Sequence, residues 1–107
     1  MKQTVGFAIV AAALVAGSAL AAQKLGQPLG DRAPEAVYAK TCGYCHGRNV
    51  GPVILGRALD PVLVKAMVRH GRNGMPAFRP TEVTDTELNV LASWIAKSKP
   101  LPTESGH

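Results

Sequence analysis

The chain has 107 residues, 47% hydrophobic and 18% charged, with a net charge of +5. That length admits one domain with a modest core and excludes two-domain enzymes, long repeat arrays and polytopic membrane proteins. Lys and Arg are scattered and aromatics are few, so the positive balance speaks for solubility or an acidic protein partner, and nucleic acid is not expected as a ligand.

Met1-Lys2-Gln3-Thr4 is a short positive start, and Val5–Ala22 is an uncharged run of 18 residues. Ala19-Leu20-Ala21 fits the small-x-small processing rule, so residues 1–21 read as a secretory signal peptide cut after Ala21. The rival is a retained membrane anchor, since the run sits at the lower edge of a spanning helix, although it is rich in Ala and Gly. Either way the domain is exported, in a bacterium to the periplasm, and no membrane contact is expected after cleavage. Residues 22–33, with Gly26, Pro28 and Gly30, read as a loose N-terminal arm. Residues 34–100 then form the folded domain and 101–107 a frayed tail.

Pro34 fits the first helical position and Glu35 the first turn, predicting a short helix through Val37 and Tyr38 toward Cys42. Cys42-Gly43-Tyr44-Cys45-His46 follows, the attachment motif for c-type haem. Two thiols on one turn add across the two haem vinyl groups, and the adjacent histidine delivers an imidazole nitrogen to the iron. Two other chemistries compete for these residues. A redox Cys-x-x-Cys needs a preceding strand, and no strand-like run precedes Cys42. Structural zinc needs four ligands, and only His70 and His107 remain as imidazoles, with no second cysteine pair.

Residues 47–59 read as loop. There the Pro52 carbonyl after Gly51 is the expected acceptor for the second ring nitrogen of His46, fixing its tautomer and raising its basicity. Asp60-Pro61 predicts a helix start and Gly71 its stop after His70, with a stripe of Leu63, Ala66, Met67 and His70. Met75, 29 residues after His46 and held between Gly74 and Pro76 in a loop, is the preferred second axial ligand. A histidine–methionine pair makes an electron-transfer haem. Met67 is read as helix packing, and His70 as a surface or packing residue; both stay as alternatives. Thr84-Asp85-Thr86-Glu87 is a capping box, and Leu88, Leu91, Ala92 and Ile95, with Val90 and Trp94 beside them, mark a last helix ended by Pro100. No strand pattern is convincing.

These residues together resemble the class I monohaem cytochromes c. The match runs through Tyr38, the attachment motif, Gly51-Pro52, Gly74-Met75-Pro76 and Trp94, and spans about residues 34–98. A closer likeness is to the cytochrome subunit of p-cresol methylhydroxylase-type flavocytochromes. It is carried by Tyr38-Ala39-Lys40-Thr41-Cys42-Gly43-Tyr44-Cys45-His46, Gly51-Pro52-Val53-Ile54-Leu55-Gly56-Arg57 and Arg69-His70-Gly71-Arg72-Asn73-Gly74-Met75-Pro76-Ala77-Phe78. The departures are Pro34, where the family usually has a glycine in the N-terminal helix, and a shortened loop between His46 and Gly51.

The resemblance implies an all-α fold of three main helices around one haem c fastened through Cys42 and Cys45. His46 and Met75 would ligate the iron, and Cys42, Cys45, His46, Pro52 and Met75 make up the cofactor site. It implies an electron-transfer protein and not an enzyme: a subunit taking electrons from an FAD-dependent 4-alkylphenol dehydrogenase and passing them to a downstream acceptor protein. The alternative is a freely diffusing carrier between a dehydrogenase and a terminal oxidase. Arg57 is a candidate partner for a haem propionate. Arg48, Arg69, Arg72 and Arg79 are candidates for a docking face, and a solvated surface is the competing reading for each.

Overall fold

The computed structural model describes residues 30–48 and 50–105. Residues 1–21, expected to be a signal peptide, and most of the expected arm lie outside the described residues. Three α-helices follow in order: α1 Pro34–Lys40, α2 Pro61–His70 and α3 Asp85–Lys97, with a 3₁₀ turn at Cys42–Tyr44 after α1. Among the described residues there is no β-strand, only isolated bridges.

Local sequence explains each helix end. Pro34 opens α1, where its missing N–H leaves no hydrogen bond unmade, with Glu35 at the positive end and Lys40 at the negative end. The Asp60 side chain accepts the Val62 N–H at 2.8 Å, Pro61 opens α2, and Gly71 closes it at φ +67°. The α3 capping box is complete: Glu87 N–H donates to Thr84 Oγ1 and Thr84 N–H to the Glu87 carboxylate, each at 3.1 Å.

The core joins all three helices and two loop residues. Val37 and Tyr38 of α1, Val64 and Val68 of α2, and Leu88, Leu91, Ala92 and Ile95 of α3 are buried in one cluster with Leu55 and Val83. Tyr38 meets Trp94 with ring centroids 5.5 Å apart at 50°, a tilted aromatic pair linking α1 to α3. Pro34 therefore stands at the start of α1, while the crossing with α3 runs through Val37 and Tyr38.

Three expectations are corrected. The inward face of α2 is Val64 and Val68; Leu63, Ala66 and His70 of the expected stripe are exposed, and Met67 is half-buried. Val90 is likewise exposed. The tail is not frayed through Ser105. The Glu104 N–H donates to Leu101 O at 3.0 Å, the Ser105 N–H donates to Gly47 O at 3.2 Å, and Tyr38 Oη donates to the Glu104 carboxylate. The end of the arm is not loose either. The Arg32 guanidinium grips both Glu87 oxygens at 2.9 Å and the Glu82 carbonyl at 2.8 Å, and Thr84 Oγ1 donates to Asp31 at 2.8 Å.

Candidate functional site

Two adjoining cavities, of about 380 Å³ and about 450 Å³, lie between the Cys42–His46 turn, α2 and the 71–76 loop. Both are walled by Cys42, His46, Pro52, Met67 and Met75, so they form one cleft with two lobes. Cys45 and Gly74 line the first lobe, and Arg57 and Leu63 the second. Leu63 and Met67 thus face the cleft, which explains why α2 is apolar on a surface that the core does not cover.

One wall is built by a single tight turn. Cys45 N–H and His46 N–H both donate to Cys42 O, at 3.1 and 2.9 Å, drawing both cysteines and the histidine together. The cysteines are free, not joined as a disulfide. Burial pushes the Cys42 thiol up to about 11, so it is uncharged at neutral pH, whereas Cys45 is exposed. His46 Nδ1 lies 2.7 Å from Pro52 O. A carbonyl only accepts, so the proton sits on Nδ1, and Nε2 keeps the lone pair for a ligand. The Gly51 N–H closes the loop back onto Cys45 O at 3.0 Å.

The opposite wall is pinned at several points. Arg72 and Met75 exchange both backbone hydrogen bonds, N–H to O at 3.0 and 2.9 Å, around Asn73 in the left-handed region at φ +52°. This is a tight turn within the expected loop, and the Asn73-Gly74 pair is its signal in the sequence. The Phe78 N–H donates to Val68 O at 2.8 Å. Gly71 makes the approach feasible. A Cβ there would stand 2.6 Å from Met75 O and 2.8 Å from both Ala77 N and Pro76 C, at a φ that favours glycine.

The cleft therefore brings Cys42, Cys45, His46, Pro52 and Met75 to one space, with Met67 beside them and His70 outside it. Arg69 does not belong to a docking face. Its Nη1 donates to the carbonyls of Phe78 and Val83 at 3.1 and 3.0 Å, and its Nη2 pairs with Asp85, which makes it a brace between α2, the distal loop and α3. Arg79 is exposed and 3.8 Å from Glu82. Arg48 and Arg72 are exposed, and Arg72 lines the first lobe together with Val50, which is 80% accessible.

A haem fits this donor set. The cleft volume lies in the range of ~300–1,000 Å³ usual for cofactor sites. Two thiols, one imidazole with a free Nε2 and a thioether sulfur line apolar walls, as c-type attachment and histidine–methionine ligation require. Among the described residues no group of His, Cys, Asp and Glu side chains assembles a metal site of three or more ligands, so the zinc alternative has no ligand set there.

A family model described as cytochrome c oxidase, cbb3-type, subunit III matches residues 30–95. The cytochrome c subunit of 4-cresol dehydrogenase (hydroxylating) from Pseudomonas putida is 41% identical over 68 residues, covering 62% of this chain and 59% of that protein. Cytochrome c-550 of Bacillus subtilis (strain 168) is 33% identical over 72 residues, covering 62% of this chain and 58% of that protein. The chain thus spans under two thirds of the length of both relatives. A crystal structure of p-cresol methylhydroxylase with substrate bound has a chain that superposes with a TM-score of 0.59 at 36% identity, covering 67% of this chain and 96% of that one. A second, at 2.5 Å resolution, gives a TM-score of 0.58 at 37% identity, covering 64% and 94%.

Proposed function

Because this chain belongs to the cytochrome c family and carries electrons without itself being an enzyme, we propose that it is the electron-accepting subunit of an FAD-dependent dehydrogenase of the 4-alkylphenol type, working in the periplasm. When bound, haem c supplies a one-electron iron couple. The chain's own residues do the rest. Cys42 and Cys45 would fasten the macrocycle, and His46 and Met75 would supply an imidazole nitrogen and a thioether sulfur to its iron. Pro52 O keeps the His46 proton on Nδ1, and Arg57, in the second lobe, would pair with a propionate.

The observation that carries this reading is the two-walled cleft, with the His46 tautomer fixed by Pro52 on one side and Met75 braced by Arg72 on the other. The partner is supported by the match to nearly the whole of a p-cresol methylhydroxylase chain. Export is supported by the processing pattern of residues 1–21. Electrons then leave to a downstream acceptor protein. Similarity to cytochrome c-550, whose name assigns no larger complex, favours a second reading as a freely diffusing carrier.

Size-exclusion chromatography of the haem-bearing chain with the flavoprotein subunit of p-cresol methylhydroxylase tests the partner. Co-elution, followed by haem reduction on adding 4-cresol, is expected. Independent elution returns the protein to the diffusing class. A pyridine haemochrome spectrum tests the cofactor, and absence of a c-type α band after expression with haem-attachment machinery overturns the whole reading. Mass analysis of periplasmic protein is expected to find a chain beginning at Ala22; recovery of the uncut chain from membranes refutes that part.

A further inference from the structure

The C-terminal tail folds onto the segment that directly follows His46. The Ser105 N–H donates to Gly47 O at 3.2 Å, and Ser105 forms a parallel bridge with Arg48. Gly47 is buried, at φ +78°, and the Glu104 side chain lies across it. A Cβ on Gly47 would stand 2.6, 2.7 and 3.0 Å from Glu104 Cγ, Cδ and Oε1. The same Oε1 accepts the hydrogen bond from Tyr38 Oη. Tyr38 in turn meets Trp94 through its ring, and its carbonyl would lie 3.3 Å from a Cβ on Gly43, between the two cysteines.

The chemistry of Glu104 is not that of a packing residue. Its second oxygen, Oε2, is buried without any hydrogen-bond partner. A buried acceptor left unmatched is unfavourable, and an apolar side chain of similar length would cover Gly47 without it. What the carboxylate adds is the bond to Tyr38. It ties the aromatic contact between α1 and α3 to the main chain one residue beyond the imidazole.

We propose that Glu104 is a positioning residue for the proximal ligand: by clamping Gly47 against Tyr38, it holds His46 in place to make its hydrogen bond to Pro52 O. This rests on the reading of His46 as an axial ligand. The consequence reaches the iron through the imidazole. A ring held firmly against Pro52 O is a more basic donor and favours the oxidised metal; a looser ring donates less and raises the midpoint potential.

The test uses the haem-bearing full chain carrying Glu104→Ala, Glu104→Gln or Tyr38→Phe. Each is read in the oxidised state by the hyperfine-shifted proton resonances of the His46 ring, by midpoint potential and by urea midpoint. Glu104→Ala and Tyr38→Phe are expected to displace the His46 resonances and raise the potential. Glu104→Gln keeps an acceptor for Tyr38 Oη and is expected to return the resonances to their wild-type positions. A lower urea midpoint in Glu104→Ala, with resonances and potential unchanged, overturns the proposal and leaves only a structural strap. If Glu104→Ala yields no folded haem protein, Tyr38→Phe decides, and unmoved His46 resonances there overturn it equally. Absence of hyperfine-shifted His46 resonances in the wild type is a different failure: it removes the ligand reading itself, and the clamp with it.

Discussion

Glu87 serves two structures with one carboxylate: it completes the capping box of α3 and receives Arg32 from the arm. Its side chain is only 4% accessible. The Arg32 hydrogen bond, against the opposing effect of burial and with help from the Arg32 and Thr84 backbone N–H groups, holds its carboxyl down at about 2. An unfolded glutamate titrates near ~4.3. The folded value is the lower one, so the contribution is fully present above ~4.3 and is lost as pH falls through about 2. Arg32 is 38% accessible, which screens the pair, so Glu87→Gln is expected to remove about 1 kcal/mol at neutral pH. It should also flatten the acid limb of stability, as measured by urea unfolding between pH 2 and 6. The second prediction at this scale concerns the iron. Met75→Ala is expected to abolish the weak near-infrared sulfur-to-iron band of the oxidised protein and lower its potential, while Met67→Ala leaves the band in place; the opposite pattern moves the ligand to α2. Cysteines, histidine and capping box were legible because each depends on neighbours a few residues away. The Arg32–Glu87 pair spans 55 residues, and no local pattern announces a partner at that distance.

The elements are set by their ends, and α2 shows how an end controls the site. Gly71 closes the helix and, in the same stroke, lets Met75 O come within 2.6 Å of where a side chain would begin. Gly71→Ala therefore meets backbone on three sides at an unfavourable φ, with no flexible side chain to yield. It is expected to destabilise by more than about 1 kcal/mol and to weaken the sulfur-to-iron band, because the turn that presents Met75 has to shift. Thr84→Ala, which strips only the α3 cap and its bond to Asp31, is expected to lose about 1 kcal/mol with the band intact. Thermal unfolding monitored beside that band separates the two. The misread stripe on α2 has the same origin. Leu63 and Met67 face the cleft, whereas Val64 and Val68 line its floor and also belong to the buried core. A cofactor surface and a core surface are both apolar, so helical period alone gives two neighbouring faces and no means of ranking them. Tail and arm were missed for another reason: their order comes from Tyr38, Gly47 and Glu87, which lie far away along the chain.

At the scale of the whole molecule, the three helices among the described residues are 7, 10 and 13 residues long. Helices that short are marginal alone and depend on packing. The buried core of the described residues is small, ten apolar side chains, and α2 gives it only Val64 and Val68, with Leu63 and Met67 turned to the cleft. The core thus secures both α1 and α2 to α3, α2 through Val64, Val68 and the Arg69 brace, whereas the Cys42–His46 turn and the distal loop meet chiefly across the cleft. A chain of this size usually needs a staple, and the cysteines form none between themselves. Folding and cofactor attachment are therefore expected to be coupled, as binding and folding are in small metal-dependent domains. The chain carrying both Cys42→Ala and Cys45→Ala is expected to keep part of its far-ultraviolet helix signal from the α1–α3 contact and to lose cooperative thermal unfolding. Amide exchange should be fast across residues 61–78 and slower only at Leu88–Ile95. A sharp transition with protection spread evenly over α2 would mean that Val64 and Val68 suffice to seat that helix, and that the apolar cleft face is tolerated in a self-sufficient fold.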